Sequence, residues 1–394
     1  MTEPSTEHIG IRVARARKRR GLTQHGLAQR SNYSRGHIAQ VEAGHKIATP
    51  AFVAAVAACL GVDATEIYGQ PYHARGQDDH VHIAIPELRR ILAYVDVGPE
   101  LAGRPRTLDQ LAAEVATAVR LMHQARLLKI GAMLPAVLEE LTYWAYETDD
   151  QRAWALLSRA YNSAVSLTRR LGYTGDALAF VERGADTAHR SQDPHLPLLL
   201  TLQRSLLLIG MNQTRPALTL LDRASRDVEP GRADTYEVAG ALRLRSAVVA
   251  ARARETGRAW DYHGQAVELI ERGGGRTDVL GLEFNAPNVA IHGAAVAVEL
   301  GDLDEASRRD HDIGERSLSG LAQERRAHHE IDMSRVHVEI GDYDKALDRI
   351  ESAEKVAPQM TYFHPSARSV VAHLVDVKRT IPEPLRRLHE RMSA

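Results

Sequence analysis

The sequence has a single cysteine, Cys59, among its 394 residues. One thiol cannot form an intramolecular disulfide and cannot supply a multi-cysteine zinc site. Cys59 lies in the apolar run 52–60, where a small core residue is expected. Aromatic residues make up only 5% of the chain, while Ala, Leu and Arg are frequent. This composition favours helices over β-structure.

Long uncharged apolar runs are also missing. The most apolar stretch, residues 196–211, is interrupted by Gln203 and Arg204, so no segment is predicted to span a membrane. The first helix is basic and polar and has no apolar leader before it. We therefore expect a cytoplasmic protein with no membrane partner.

Motifs that would indicate catalysis or a bound metal are lacking too. The run Gly273-Gly274-Gly275 is not followed by the Gly-Lys-Ser/Thr of a phosphate-binding loop. A His-Glu-x-x-His zinc motif is absent, and His328 with Asp332 has no evident third ligand. We therefore expect no enzyme, no cofactor and no metal site.

What the chain does have is an uneven charge distribution. Residues 1–75 contain ten Lys/Arg against five Asp/Glu, a net charge of +5, whereas the remainder carries 40 basic and 46 acidic residues. A basic head on an acidic body is expected when only the head meets phosphate.

The spacing of apolar residues predicts five short helices in this head, assigned to residues 1–70. Gly21 ends the first helix, and Thr23 and Ser34 are placed to cap the second and third. Thr49 precedes a fourth helix that Gly61 ends, and residues 63–68 supply the last turn. A three-residue turn between the second and third helices is the pattern of a helix-turn-helix.

The segment Gly21-Leu22-Thr23-Gln24 with Leu27-Ala28, Ser34, Ile38 and Val41-Glu42-Ala43-Gly44 resembles the phage-repressor-like XRE family over about residues 8–68. The resemblance implies that the helix 34–43 enters the major groove of double-stranded DNA. It further implies that Gln24 contacts phosphate and supports that helix, and that Arg35 and Gln40 read bases. The DNA-binding residues expected on this basis are Gln24, Ser34, Arg35, Gly36, His37, Gln40 and Lys46.

Behind the head, residues 71–84 are rich in Gly, Pro, Asp and His and are predicted to be an exposed linker. Residues 85–394 are predicted to form a helical-repeat domain. The sequence Gly341-Asp342-Tyr343-Asp344-Lys345-Ala346 recurs as Gly301-Asp302-Leu303-Asp304-Glu305-Ala306. This spacing resembles the tetratricopeptide repeat (TPR), and weaker copies bring the count to about five units. The predicted fold is therefore all-α: a five-helix helix-turn-helix domain followed by an α-solenoid of TPR-like helix pairs.

A curved repeat array exposes a groove lined by the first helix of each pair. Asn285, Asn288 and His292 share one face of such a helix, and asparagine can bind a polar ligand through a donor and an acceptor at once. The equivalent turn of the next unit offers Arg325, His328 and Asp332. These six residues are the expected ligand-binding set, with helix capping or solvated surface as the alternative for each.

The two-part layout resembles the quorum-sensing regulators of the RRNPP type and many actinobacterial regulators. The resemblance implies a transcription regulator whose repeats dimerise and bind a peptide or small-molecule effector that modulates DNA binding. A homodimer is also expected because one small head offers few base contacts. The alternative is a DNA-associated adaptor whose repeats bind another protein.

Overall fold

The structure, a computed structural model, describes residues 8–73, 76–94, 97–276 and 279–392. These residues form 21 α-helices and one 3₁₀ helix, and the described ranges contain no β-strand. The predicted all-α architecture is confirmed. No described helix is both long enough and apolar enough to cross a bilayer.

The head, residues 8–68, consists of five short helices. They are α1 (Ile9–Arg19), α2 (Gln24–Ser31), α3 (Arg35–Glu42), α4 (Pro50–Leu60) and α5 (Ala64–Tyr68). The side chains of Thr23, Ser34 and Thr49 accept hydrogen bonds from the backbone N–H groups of the first turns of α2, α3 and α4. Each cap satisfies a donor that has no partner within its helix. The caps therefore fix where these helices begin.

The body contains the remaining helices. They are the 3₁₀ helix (Gly76–Ile83), α6 (Ala84–Leu92), α7 (Leu108–His123), α8 (Leu127–Thr148), α9 (Gln151–Leu171), α10 (Thr174–Arg190), α11 (Leu196–Gly210), α12 (Thr214–Arg226), α13 (Thr235–Arg252), α14 (Thr256–Glu271), α15 (Ala286–Leu300), α16 (Leu303–Ser319), α17 (Gln323–Glu339), α18 (Tyr343–Val356), α19 (Pro358–Phe363), α20 (Pro365–Val377) and α21 (Glu383–Met392). A tight turn joins the helices of each pair from α9–α10 to α17–α18, which gives five units, as the repeat pattern predicts.

The backbone conformation explains why glycine occupies two of these turns. Gly301 and Gly341 have φ values of 79° and 81°, in the left-handed region that glycine adopts at little cost. The alanines five residues later, Ala306 and Ala346, are fully buried, which lets the paired helices pack closely. In the third unit the turn lies at Arg254, φ 62°, and not at the nearby Gly257.

Two predictions about the start of the body differ from the structure. Tyr72 and Val81, within the predicted exposed linker, are buried in the same core as α8 and α9, so the described part of 71–84 packs against the body; residues 74–75 lie outside the described ranges. The helix opened by the Thr107 capping box ends at His123, not near Lys129, because Ala125 has a left-handed φ of 53°.

The head lies against the body. Ile47 is buried in one apolar cluster with residues of α17, α18 and α20. His373 of α20 donates from Nδ1 to the carbonyl oxygen of Gly44 at 3.3 Å. Lys46 Nζ lies 3.4 Å from Glu339 Oε2 at the end of α17. Apolar, hydrogen-bonding and ionic contacts therefore hold the head at one place on the body.

Candidate functional site

The turn between α2 and α3 sets the angle of the third helix. Asn32 ends α2 in a left-handed conformation with φ 58°, which asparagine tolerates well. Two residues later the Ser34 hydroxyl accepts a hydrogen bond from His37 N–H at 3.1 Å. Ile38 and Val41 are fully buried, so the opposite side of α3 is directed to solvent.

Glu42 joins three helices of the head. Arg17 donates from Nε to Oε1 of Glu42 at 2.6 Å and from Nη2 to Oε2 at 2.7 Å. The Gln24 amide donates to the same Oε2 at 2.9 Å. The Arg17 and Glu42 side chains are 10% and 7% exposed, and the hydrogen bonds that Arg17 donates to Glu42 raise the pKa of Arg17. The supporting role expected for Gln24 corresponds to this contact, whereas the roles of Arg17 and Glu42 escaped the sequence reasoning.

The outer face of α3 is open to a partner. Ser34, Arg35, Gly36 and Gln40 are exposed, and Arg35 forms no hydrogen bond or ion pair within the described ranges. A side chain added at Gly36 would meet no atom within 4 Å. This face carries the residues predicted to read DNA, with a free guanidinium at its centre.

Two of the predicted DNA-binding residues have other contacts. His37 is half-buried, and its ring stacks on Phe52 with centroids 5.3 Å apart and planes 26° apart; burial lowers its pKa. The His37 side chain therefore packs against α4 and does not point outward from α3. The Lys46 ammonium group forms an ion pair with Glu339 of the body. In this arrangement it is not free to contact a DNA phosphate.

A cavity of about 580 Å³ lies between the head and the body. Its walls come from α9, α11, α13, α15 and α17, the first helix of each of the five pairs, as the repeat pattern predicts. The head closes it with residues of α4 and α5, among them Ala54, Ala58 and Tyr68.

Five of the six predicted ligand-binding residues line this cavity. They are Asn288, His292, Arg325, His328 and Asp332. The prediction for Asn285 differs from the structure, because its Oδ1 accepts a hydrogen bond from Asn288 N–H at 2.9 Å and caps α15. The capping alternative therefore applies to Asn285.

Asn288 and His292 present acceptors that the protein does not use. The Asn288 amide nitrogen donates to the carbonyl oxygen of Glu283, while its Oδ1 is buried without a partner. His292 Nδ1 lies 2.7 Å from the carbonyl oxygen of Asn288, which requires the proton on Nδ1 and leaves Nε2 as an acceptor. Burial and the nearby Arg325 lower the pKa of His292 to about 3. Both groups can accept a hydrogen bond from a ligand.

Arginines dominate the neighbouring wall. Arg169 and Arg170 come from the end of α9, Arg245 from the middle of α13 and Arg325 from the start of α17. The sequence reasoning missed the first three because residues up to 156 positions apart meet only in the folded repeats. The paired basic residues Arg169-Arg170 at the end of a first helix were the one available signal.

A separate group of possible metal ligands gathers His73, Asp79 and His82 within 4.8 Å of one another. His82 already bonds through both ring nitrogens, Nε2 to the carbonyl oxygen of Tyr72 at 2.9 Å and Nδ1 to the hydroxyl of Tyr173 at 3.0 Å. These bonds give His82 a packing role between the 3₁₀ helix and α10.

Comparison with known proteins decides the nature of the head. A family model described as a helix-turn-helix domain matches residues 8–67. Residues 8–67 are a helix-turn-helix domain. The prediction of a helix-turn-helix at the N-terminus is thereby confirmed. No curated protein matches the chain.

Among solved structures, the chain is similar to BtubC (BKLC) from P. vanneervenii, with a TM-score of 0.38 and 18% identity over 66% of this chain and 94% of that one. It is also similar to PlcR of Bacillus thuringiensis, solved with the peptide PapR7 and DNA, with a TM-score of 0.35 and 13% identity over 85% and 98%. A PrgX mutant gives 0.27 and 10% over 97% and 99%.

The helix-turn-helix domain is connected to the cavity through α4. Ala54, Ala57 and Ala58 of α4 line the cavity, while Phe52 at the start of the same helix stacks on His37 of α3. If a ligand shifted α4, the contact between Phe52 and His37 would therefore transmit the shift to α3.

The buried His292 predicts a pH dependence of stability. Its folded pKa of about 3 lies below the ordinary value near 6.5, so between these values the unfolded chain binds a proton that the native protein does not. Stability is therefore lost as pH falls from 6.5 toward 3, by about 2 kcal/mol between pH 7 and pH 5. We expect His292→Gln to remove that part of the slope in urea denaturation at pH 7, 6 and 5.

The exposed His189 of α10, replaced in the same way, is the control for a solvent-facing histidine. An identical pH slope in wild type and His292→Gln would show that His292 titrates alike in the folded and unfolded chains.

Proposed function

We propose that this chain is a homodimeric transcription regulator whose DNA binding is modulated by an effector held in the cavity between the helix-turn-helix domain and the repeats. One observation carries the proposal: the DNA-binding domain forms one wall of the cavity, and the first helices of all five repeat pairs form the others. A ligand there contacts both parts at once. It can change DNA affinity only by binding the DNA-competent and DNA-incompetent arrangements unequally.

The adaptor alternative has less support. A protein-docking groove is expected to offer a broad apolar surface, but the first helices here face a cavity shared with the helix-turn-helix domain and lined by arginine, histidine and asparagine side chains. These polar groups favour a small ligand.

Arg35→Ala tests DNA reading. An arginine that bonds guanine O6 and N7 contributes about 1–3 kcal/mol of discrimination, so the variant is expected to lose about 5- to 150-fold in specific affinity and relax preference at one base pair. A binding site selected from random DNA by the wild type, followed by footprinting of both proteins, measures this. The exposed Arg223 of α12, replaced by alanine, is the control.

Equal protection of the selected site by wild type and Arg35→Ala would remove Arg35 from the reading role. Titrating the selected DNA with wild-type protein, at DNA concentrations far above the Kd, gives the number of protein chains bound per DNA. Two chains are expected, on half-sites about 10 bp apart or a multiple of that, and a 1:1 complex at saturating protein would contradict the dimer.

Asn288→Ala tests effector control. Because Asn288 lines the cavity and its Oδ1 has no partner within the protein, the variant is expected to fold and bind DNA as wild type does while losing its response to effector. Fluorescence anisotropy on labelled DNA, with and without fractionated small-molecule extract, measures the response. No response of the wild type to any fraction would instead favour the adaptor.

A further inference from the structure

We infer that the cavity takes an amphipathic organic anion, whose carboxylate or phosphate group is bound by Arg169, Arg245 and Arg325 and whose apolar part lies against α11 and α13. The inference deepens the proposed function and rests on it for the link to DNA binding. The binding of an anion itself follows from the side chains that line the cavity.

The arginines of the cavity wall outnumber the carboxylates that could pair with them. Four arginines, Arg169, Arg170, Arg245 and Arg325, meet around one carboxylate, that of Glu324. Other acids nearby are already matched: Glu299 pairs with Arg252 at 3.0 Å, and Asp332 with Arg335 at 3.0 Å.

The single carboxylate already has partners at one oxygen. Glu324, 5% exposed, pairs through Oε1 with Arg170, and the same oxygen lies 3.1 Å from Nε2 of His328. Its Oε2 lies 3.3 Å from Arg325 Nε, outside hydrogen-bonding geometry, so that this nitrogen keeps no hydrogen-bond partner. The side chains of Arg169 and Arg245 form no hydrogen bond or ion pair within the described ranges, and the Nε of each is buried without a partner.

Arg169 and Arg245 keep their positive charge at neutral pH. Burial and the neighbouring arginines lower the pKa of Arg169 and of Arg245 to about 9, which still leaves both cationic at pH 7. Buried unpaired charges are costly, and a guanidinium is built for planar, two-point binding of carboxylate or phosphate. An anion supplies the partner that the chain lacks.

The rest of the cavity wall includes a large apolar part. Beside the arginines the cavity is lined by leucines of α11 and by Leu244 and Val248 of α13. A volume of about 580 Å³ is that of a site for an organic molecule and not for a bare ion. The ligand therefore combines an anionic end with an apolar body.

The experiment uses the full chain with three probes of equal length: sodium decanoate, decyl phosphate and uncharged decanamide, all below micelle-forming concentrations. Binding is measured by isothermal calorimetry and by the shift in thermal midpoint, for wild type and Arg245→Gln. Arg243→Gln is the matched control, since Arg243 lies on the same helix but covers the Tyr262 ring and is not part of the cavity wall.

We expect the wild type to bind at least one of the two anions at least tenfold more tightly than decanamide, and the two anions to show whether carboxylate or phosphate is preferred. Arg245→Gln should weaken anion binding at least tenfold and, without ligand, melt at a higher temperature than wild type. Arg243→Gln should bind as wild type does.

Equal binding of decanamide and the anions, unchanged anion binding by Arg245→Gln, or no binding of either anion would overturn the inference. Anion binding that depends on Arg245 but leaves DNA affinity unchanged would support the inference and reject effector control by this ligand. The two proposals therefore fail separately.

Discussion

Replacing Glu42 by alanine is expected to destabilise the helix-turn-helix domain by about 3–5 kcal/mol, because Arg17 would be left buried without its partner. Glu42 accepts both bonds from Arg17, at 2.6 and 2.7 Å, and one from Gln24. A domain of this size has a total stability of only about 3–9 kcal/mol. Specific DNA binding should therefore be almost abolished.

Hydrogen exchange read by mass spectrometry can locate this loss within the chain. Peptides from residues 8–67 of the Glu42→Ala variant should exchange much faster than in wild type, while peptides from α9 to α14 should change little. Glu66→Ala is the matched control, because Glu66 pairs with Arg19 on the surface with side chains 48% and 56% exposed. Such pairs contribute about 0–1 kcal/mol, and an equal effect of both variants would contradict the role of Glu42.

Glu324→Gln is expected to destabilise the body by about 3–5 kcal/mol. The change keeps the shape of the side chain but removes the carboxylate that lies among Arg169, Arg170, Arg245 and Arg325, so that buried like charges are left without their negative partner. Urea denaturation of the full chain at pH 7 measures the change in the free energy of unfolding.

Two further variants sharpen this test. Glu315→Gln removes a carboxylate that bonds Arg326 at 2.7 Å but is 72% exposed, and it should cost no more than about 1 kcal/mol. Glu324→Gln combined with Arg245→Gln should recover part of the loss, because one of the opposing charges is then gone. A double variant less stable than Glu324→Gln would show that charge excess is not the cause.

One short helix, α4, contacts both the cavity and α3. Ala54 and Ala58 of α4 line the cavity, and Phe52 of α4 stacks on His37 of α3. His37 was predicted to face DNA, yet in the structure it carries the contact between these helices. Replacing His37 is therefore expected to change the packing of α3 against α4.

The sequence by itself determined the local structure. Thr23, Ser34 and Thr49 predicted the starts of α2, α3 and α4, and Gly301 and Gly341 predicted the turns of the last two repeat units. Caps and left-handed turns depend on residues within a few positions of one another, so short spacing carries the information. The helix-turn-helix of the head could be predicted from the sequence for the same reason.

Only the tertiary structure decided which side chains meet across the repeats. Asn288, His292 and Arg325 were predicted from one helical face and its neighbour, and they line the cavity together. Arg169 and Arg245 escaped because nothing in their local sequence distinguishes a buried arginine from a solvated one. Their position is fixed by the stacking of helix pairs and by the docking of the head, which depend on contacts between residues far apart in the chain.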